Sequence, residues 1–302
     1  MNQARYSVHA NNLGAPTPEP RTLAPIVRRR RRSDVRHEIT ATWQWIVELA
    51  RAEGLSPALC AKASESLPLT PTIVGSSTKV KKGAQGYLVA VIYLAGARAW
   101  RLLCKNSTPA CRGACLGETT GRLAHDNAGR KPQAWKTALL IGAPSLFREL
   151  LHFELEALGR KARKEGVIGA LRVDGSSDTG LAREYADAAR AVGVIRYDYT
   201  KNIGRAQGAL GSDWSITLSY PGDCEEWTPY AAHLADGGTV AVVADIPRGA
   251  PIPDEWRGCP TIDGDADDLR FRDKPGHVVV LRLKGHKRAK RLARAGGFIA
   301  TP

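Results

Sequence analysis

The feature that most constrains the fold of this chain is a regular alternation of apolar runs and helical patterns between Val167 and Asp245. Four apolar runs predict strands and three amphipathic stretches between them predict helices: strands 167–173, 194–199, 215–220 and 239–245, and helices 181–192, 203–210 and 225–236. Strands joined by helical crossovers form right-handed βαβ units, in which the strands lie parallel. The alternation therefore predicts an α/β fold whose parallel (βα) repeat forms a partial or distorted barrel.

Apolar runs on both sides extend this domain. Three of them predict further strands, and the second runs directly into Cys104: 87–94, 97–103 and 277–283. Residues 134–165 predict a helix that is broken at Pro144, because proline cannot continue the helical hydrogen-bond ladder. We expect the α/β domain to span residues 72–285.

The segments outside this domain differ from it in composition. Residues 1–34 predict a disordered basic arm, because proline-rich turns and five consecutive arginines disfavour a packed core. Residues 35–71 predict a helical accessory region with an apolar stripe. Residues 286–302 predict a basic C-terminal tail, also disordered.

Positive charge is concentrated in the two end segments. The formal net charge is +14, and residues 1–36 and 282–302 carry almost all of it. Basic tails bind a phosphate backbone in a salt-dependent, mostly sequence-independent way, so we predict nucleic acid, most simply DNA, as the partner. A contribution to solubility alone is the alternative. The predicted contact residues are Arg28, Arg29, Arg30, Arg31, Arg32, Lys287, Arg288, Lys290 and Arg291.

The sequence disfavours a membrane or secreted location. Neither basic tail pairs its charge with a strong apolar face, which a membrane-surface helix needs. No run of about 18 apolar residues predicts a membrane span, and no apolar stretch near the N-terminus predicts a secretory signal. Six cysteines are too few for a disulfide-stapled secreted scaffold, so we expect a reducing cytoplasm.

Three of the six cysteines lie close together, with the spacing C-x6-C-x3-C: Cys104, Cys111 and Cys115. Thiolates at this spacing can share one metal ion or cluster, because each offers a soft, charged sulfur ligand. We predict a [4Fe–4S] cluster or zinc here, with Cys259 as the favoured fourth ligand and Cys224 as the next. Three buried apolar side chains, or a thiol with redox or nucleophilic function, are the alternatives.

Polar residues follow the predicted strands, at the edge where ligands bind in parallel α/β sheets. The predicted catalytic residues at this edge are Asp174, Asp178, Tyr199, Lys201 and Asp245. Carboxylates there can orient polar groups or move protons, and Lys201 can bind an anionic group or pair with a neighbouring aspartate. We expect the three cysteines to open on the same edge.

These motifs, in this order, resemble the phage gene product eighty-eight family over roughly Lys79 to Gly285. The family's cysteines correspond to Cys104, Cys111 and Cys115, its acidic loop to Asp174, Gly175 and Asp178, and its Tyr-Thr-Lys motif to Tyr199, Thr200 and Lys201. One departure is Leu116, where the family usually has an aromatic residue. The resemblance implies a phage or mobile-element origin, hence a host cytoplasm, and a partial (βα) barrel, without a secure activity.

Three functions follow as hypotheses. The first is a nucleic-acid-binding protein of a phage or mobile element, acting in DNA replication or genome handling, with a three-cysteine metal or Fe–S site on the rim. The second is an iron–sulfur enzyme acting on a small or nucleic-acid substrate, because three cysteines on a partial barrel resemble radical-SAM enzymes, although their usual spacing is absent. The third is a zinc-stapled structural or regulatory protein. Whether the chain is an enzyme stays open.

Overall fold

A computed structural model of the chain describes residues 30–76, 84–115, 123, 125 and 129–302. Its centre is an eight-stranded sheet with the strand order β1-β2-β3-β4-β5-β8-β7-β6. The strands are β1 (Tyr87–Val91), β2 (Ile168–Arg172), β3 (Val194–Thr200), β4 (Trp214–Ser219), β5 (Thr239–Ala244), β6 (Glu255–Trp256), β7 (Cys259–Asp263) and β8 (Val278–Arg282).

The sheet is open and mostly parallel. Strands β1 to β5 follow one another in chain order, and all neighbouring pairs are parallel except β6 with β7. Among the described strands, β1 and β6 form the edges. The predicted α/β fold with a parallel repeat is thus confirmed, and the sheet does not close on itself.

Ten α-helices are present among the described residues. They are α1 (Arg32–Ala41), α2 (Trp43–Ala52), α3 (Pro57–Ser64), α4 (Pro109–Gly113), α5 (Lys131–Gly142), α6 (Pro144–Lys164), α7 (Ala186–Val192), α8 (Ile203–Gln207), α9 (Thr228–Ala235) and α10 (Lys287–Ala295). The break between α5 and α6 lies at Pro144, as predicted, because proline suits the first turn of a helix. None of the described helices is long and apolar enough to cross a membrane.

The two faces of the sheet are covered differently. One face, here the crossover face, packs against the helices that connect the strands, because right-handed crossovers between sequential strands all fall on one side. Its core includes Ile92, Leu171, Leu218, Val242 and Val280. The other face, here the second face, is covered by Leu269 and Phe271 at one end and by Ala110, Ala293 and Phe298 at the other.

The N-terminal helices share the main core. Ile39 and Ile46 are fully buried in the same cluster as the crossover face. At Gly142 the backbones of α5 and α2 lie so close that a methyl group there would lie 2.0 Å from the carbonyl oxygen of Ile46. The two helices can approach this closely because Gly142 has no side chain.

The predicted strand over 97–103 is wrong. Residues 97–99 form a turn, closed by a hydrogen bond from the Ala99 N–H to the Gly96 carbonyl, and Arg101–Cys104 form a 3-10 helix. The segment instead forms hydrogen bonds with the residues between α2 and α3. The Ala99 carbonyl accepts from the Ser56 N–H, and the Trp100 indole donates to the Glu53 carbonyl. Its apolar side chains therefore pack toward the N-terminal helices instead of extending the sheet.

The predicted disorder of residues 286–302 is also wrong. Helix α10 spans Lys287–Ala295, and the ring of His286 caps it by accepting from the Ala289 N–H. Ala289 and Ala293, four residues apart on one face, are buried and fix the helix to the body of the protein. The composition suggested disorder because only small alanines provide the packing face.

The predicted basic arm lies mostly outside the described residues, including Arg28 and Arg29. Its last residues are not disordered, since Arg32 begins α1 and donates to the buried carboxylate of Glu154 at 2.8 Å. Glu154 also accepts from the Val74 N–H. Arg32 thus has a structural partner.

Candidate functional site

The carboxyl ends of the parallel strands carry a dense group of polar side chains. The loop after β2 is shaped by Asp174, whose carboxylate accepts four hydrogen bonds, from the Ser177 hydroxyl (2.7 Å), the Thr179 N–H (3.0 Å) and hydroxyl (2.8 Å), and the Gly180 N–H (2.9 Å). Asp174 is buried. These contacts show that its carboxylate shapes the loop, and its catalytic role stays a prediction.

A second carboxyl group, that of Asp198, forms a hydrogen bond with the same loop. Asp198 on β3 accepts from the Asp174 N–H at 2.7 Å. Burial, together with the charge of Asp174, raises the pKa of Asp198 well above its usual value. Sequence reasoning missed Asp198 because it lies inside an apolar strand rather than after its end.

Asp178 joins this loop to the cysteine segment. Its N–H donates to the Leu103 carbonyl at 2.7 Å, immediately before Cys104. Its carboxylate accepts from the Thr200 hydroxyl at 2.7 Å and the Lys201 N–H at 3.0 Å, and it forms an ion pair with Arg205. The cysteine segment is therefore fixed at the carboxyl edge through the loop after β2, although no strand leads into it.

Lys201 lies at the centre of the cysteine site. Its ammonium donates to the Ser219 hydroxyl at 3.2 Å and lies close enough to the Cys111 and Cys104 thiols to interact with them electrostatically. Burial lowers the pKa of Lys201, but Cys111, Asp178 and Cys104 together hold it above its usual value. A cation thus stands among the sulfur atoms, a relationship that the sequence left open.

The thiol of Cys104 is neutral at physiological pH. Burial, followed by the charges of Cys115, Asp178 and Cys111, raises its pKa to about 12, despite the opposing effect of Lys201. The influence of Cys115 and Cys111 on Cys104 places the three thiols near one another, and a metal or cluster shared by them stays a prediction. In the residues that the structure describes, however, no three His, Cys, Asp or Glu side chains stand where they could hold a metal ion together.

The two cysteines considered as a fourth ligand lie at different edges of the sheet. Cys259 is the first residue of β7, so it lies at the amino edge, away from the cysteine segment. Cys224 follows β4 and its thiol contacts the Thr108 hydroxyl. Thr108 caps α4, where it accepts from the Cys111 N–H at 3.1 Å. Cys224, not Cys259, is thus the cysteine beside the site.

Tyr199 lies below the rim, on the second face of the sheet. The guanidinium of Arg172 stacks 4.6 Å from the centre of its ring. Burial raises the pKa of Tyr199 above its usual value, and its hydroxyl has no hydrogen-bond partner among the described residues. Tyr199 lies two residues before Lys201, and its side chain is only partly exposed.

Asp245 lies at the carboxyl edge, in a cleft away from the cysteines. Its carboxylate accepts from the Arg294 guanidinium at 2.7 and 2.9 Å, which lowers the pKa of Asp245. The cleft has a volume of about 850 Å³ and lies between the ends of β5, β7 and β8 and helix α10. Its basic lining residues Arg248 and Arg282 were not predicted as contact residues, because Arg248 is isolated in the sequence and Arg282 lies in a predicted strand.

The predicted basic residues of the C-terminal segment lie on α10. Lys287, Arg288 and Arg291 are exposed, whereas Lys290 is half-buried and lines the cleft. The helix packs against α4, with the backbone of Gly296 close to Ala110. An array of cations thus stands beside the cysteine segment.

Comparison with known protein families matches residues 72–298 to a family described as gene product 88. The matched range begins before β1 and ends after α10, so it contains the whole carboxyl edge. Comparisons with curated proteins and with solved structures gave no match.

Proposed function

This chain belongs to the gene product 88 family, and from that premise we propose that it is a nucleic-acid-binding protein of a phage or mobile element, acting in DNA replication or genome handling. One observation carries the proposal. Lys287, Arg288 and Arg291 project from a helix whose opposite face is buried, so the cations are held in a fixed array. A fixed array of this kind binds phosphates and releases their counterions.

A nucleic acid fits this helix better than a membrane surface does. Membrane-surface helices insert an apolar face between lipids, but the alanine face of α10 is already packed against the protein. Leu292 is the one large apolar side chain of α10 that is more than a third exposed. The helix can therefore offer charge to a polyanion but little apolar surface to a bilayer.

The test measures DNA affinity of the full chain against salt concentration, by fluorescence anisotropy with labelled single- and double-stranded oligonucleotides. Three phosphate contacts predict a slope of log K against log salt of roughly −2 to −3. The double variant Arg288→Ala/Arg291→Ala should weaken binding by about tenfold and flatten the slope. The matched control Arg160→Ala/Lys164→Ala removes the same charge from exposed positions on α6. Equal affinities for all three proteins, or a flat salt response, would refute the proposal.

A second candidate is an iron–sulfur enzyme, favoured by the position of the three-cysteine segment beside Lys201 at the carboxyl edge. The donor chemistry suits a cluster, because three soft sulfur ligands lie in one segment and Cys224 lies beside it. A bound [4Fe–4S] cluster would supply one-electron chemistry. The described positions do not form a ligand group as they stand. This second candidate includes two further expectations. The sheet would curve as part of a barrel, and a zinc ion could occupy the cysteine site in place of the cluster.

Metal analysis of protein purified without oxygen distinguishes an iron–sulfur cluster from a zinc ion at the cysteine site. Iron with sulfide and a brown colour supports the enzyme, and a single zinc supports a structural site. Cys111→Ser should lose the metal, whereas Cys259→Ser should retain it, since Cys259 lies at the opposite edge. Metal-free protein of native fold would refute the second candidate without affecting the first.

A further inference from the structure

We propose that the cleft beside α10 binds a phosphate group of the nucleic acid, so that this cleft, rather than the exposed surface of α10 alone, positions the strand. The inference rests on the proposed nucleic-acid binding and specifies its site. The cleft lies outside the cysteine site and is lined by residues of four elements.

The position of the cleft is that of a ligand site. Its floor consists of the residues that follow β5, β7 and β8, and parallel α/β sheets bind ligands at these carboxyl ends. One wall is the turn Pro247–Ala250, and the opposite wall carries Lys290 and Arg294 of α10. Its volume of about 850 Å³ accommodates a nucleotide-sized group.

The charges of the cleft leave a positive excess. Five basic and three acidic side chains line it, so two positive charges exceed the negative ones. Arg282 is paired with Asp263 at 2.8 Å, Lys284 with Asp265, and Arg294 with Asp245. These pairs account for all three carboxylates of the lining.

The two remaining cations are Arg248 and Lys290. Neither forms a salt bridge in the part of the chain that the structure describes, although Lys290 is near enough to Asp245 to lower the pKa of that carboxyl group. Lys290 is half-buried and Arg248 is exposed, and neither has a carboxylate at salt-bridge distance among the described residues. A cation without such a partner gains more from a bound anion than one that a carboxylate already neutralises.

The turn that carries Arg248 is held in place before any ligand binds. Arg282 donates to the Ala250 carbonyl at 2.6 Å, and the Ala250 N–H donates to the Pro247 carbonyl at 3.2 Å. Gly249 has a φ of +86°, a conformation that glycine adopts without strain, and a β-carbon added there would meet no atom within 4 Å. The cleft is therefore preorganised, which lowers the entropic cost of binding.

The experiment compares the cleft with the exposed face of α10 in the full chain. The variant Arg248→Ala/Lys290→Ala removes the two excess charges, and Arg288→Ala/Arg291→Ala removes the same charge outside the cleft. Binding of a labelled oligonucleotide is measured with and without a 5′-phosphate, and inorganic pyrophosphate serves as competitor. Circular dichroism and thermal unfolding confirm the fold, which the cleft variant should retain because neither side chain has an ion-pair partner in the described structure.

We expect the cleft variant to lose at least tenfold in affinity, more than the α10 variant loses, and to become insensitive to pyrophosphate. A loss restricted to the 5′-phosphorylated strand identifies a terminal phosphate as the ligand, and an equal loss for both strands identifies a backbone phosphate. Losses no greater than those of the α10 variant overturn the cleft proposal and leave nucleic-acid binding intact. Absence of salt-dependent binding by the unaltered protein overturns nucleic-acid binding itself.

Discussion

Arg172 on β2 donates from one guanidinium nitrogen to both carboxylate oxygens of Asp268, at 3.1 and 3.0 Å. The two residues are 96 positions apart in the chain, and Asp268 is completely buried. Leu269 and Phe271 follow directly and pack against the second face of the sheet. This ion pair therefore fastens the segment that covers half of that face.

Replacing Asp268 with asparagine should strongly destabilise the fold. The side chain keeps its shape, but Arg172 becomes a buried charge without a compensating carboxylate, which costs about 3–5 kcal/mol. Urea unfolding followed by circular dichroism measures the change in the free energy of unfolding. The matched control is Asp187→Asn, which removes an almost fully exposed partner of Arg190 and should leave stability unchanged. A comparable stability for both variants would show that Arg172 and Asp268 are not coupled.

Stability should depend on pH through Asp273. Burial raises the pKa of Asp273 to about 6, with repulsion from Asp267 and Asp268 adding to the effect and Arg270 and His277 opposing it. The folded state keeps a proton that the unfolded chain releases near pH 4, so this contribution is full below about pH 4 and is lost as pH rises to about 6.

The variant Asp273→Asn should lack this dependence. The difference in unfolding free energy between variant and unaltered protein should change by about 3 kcal/mol across that pH range. Because other carboxyl groups titrate in both proteins alike, urea titrations at several pH values isolate the effect of this one residue. Parallel curves for the two proteins would contradict the prediction.

Gly142→Ala should destabilise the contact between α2 and α5. The added methyl group would lie 2.0 Å from the Ile46 carbonyl oxygen, so the helices must move apart, at a cost of about 1–3 kcal/mol or more. The control is Gly204→Ala on α8, where the nearest atom lies at 3.6 Å and alanine favours the helix. Thermal unfolding should show a lower Tm for the first variant and an equal or higher Tm for the second.

Ala293→Asp should release α10 from the body of the protein. Ala293 is fully buried. A carboxylate at this position would either be buried without its hydration shell, which is unfavourable, or move into water and detach α10 from the protein. Limited trypsin digestion with mass spectrometry should then detect rapid cleavage after Lys290 and Arg291. Ala295→Asp introduces the same charge at an exposed position and should digest like the unaltered protein. Equal resistance of both variants would mean that the alanine face does not hold the helix.

The strands of the sheet were largely predictable, because buried parallel strands are continuous apolar runs between turn residues. Each predicted βα unit from Val167 to Asp245 is present with bounds shifted by a few residues. The same rule failed at Ala97–Leu103, whose apolar residues pack locally against the N-terminal helices. It also missed β6, which has only two residues, and β7, which carries proline and aspartate.

The candidate site was predictable only in part. The meeting of Cys104, Asp178 and Lys201 follows from the topology, since loops after parallel strands share one edge. The role of Asp174 could not be read from the sequence, because loop-shaping and catalytic carboxylates occupy the same positions after strands. The choice of Cys259 over Cys224 failed because the edge on which a cysteine lies depends on whether it precedes or follows its strand.

The sequential order of β1 to β5 has a consequence for synthesis on the ribosome. Most of the residues that cover the second face follow β5 in the chain, among them Leu269, Phe271, Ala293 and Phe298, whereas Ala110 precedes β2. At ~5–20 residues per second, several seconds separate the emergence of β5 from that of its last covering residues. During that interval much of the apolar second face of the nascent sheet is uncovered, and exposed apolar surface of this kind favours aggregation and chaperone binding.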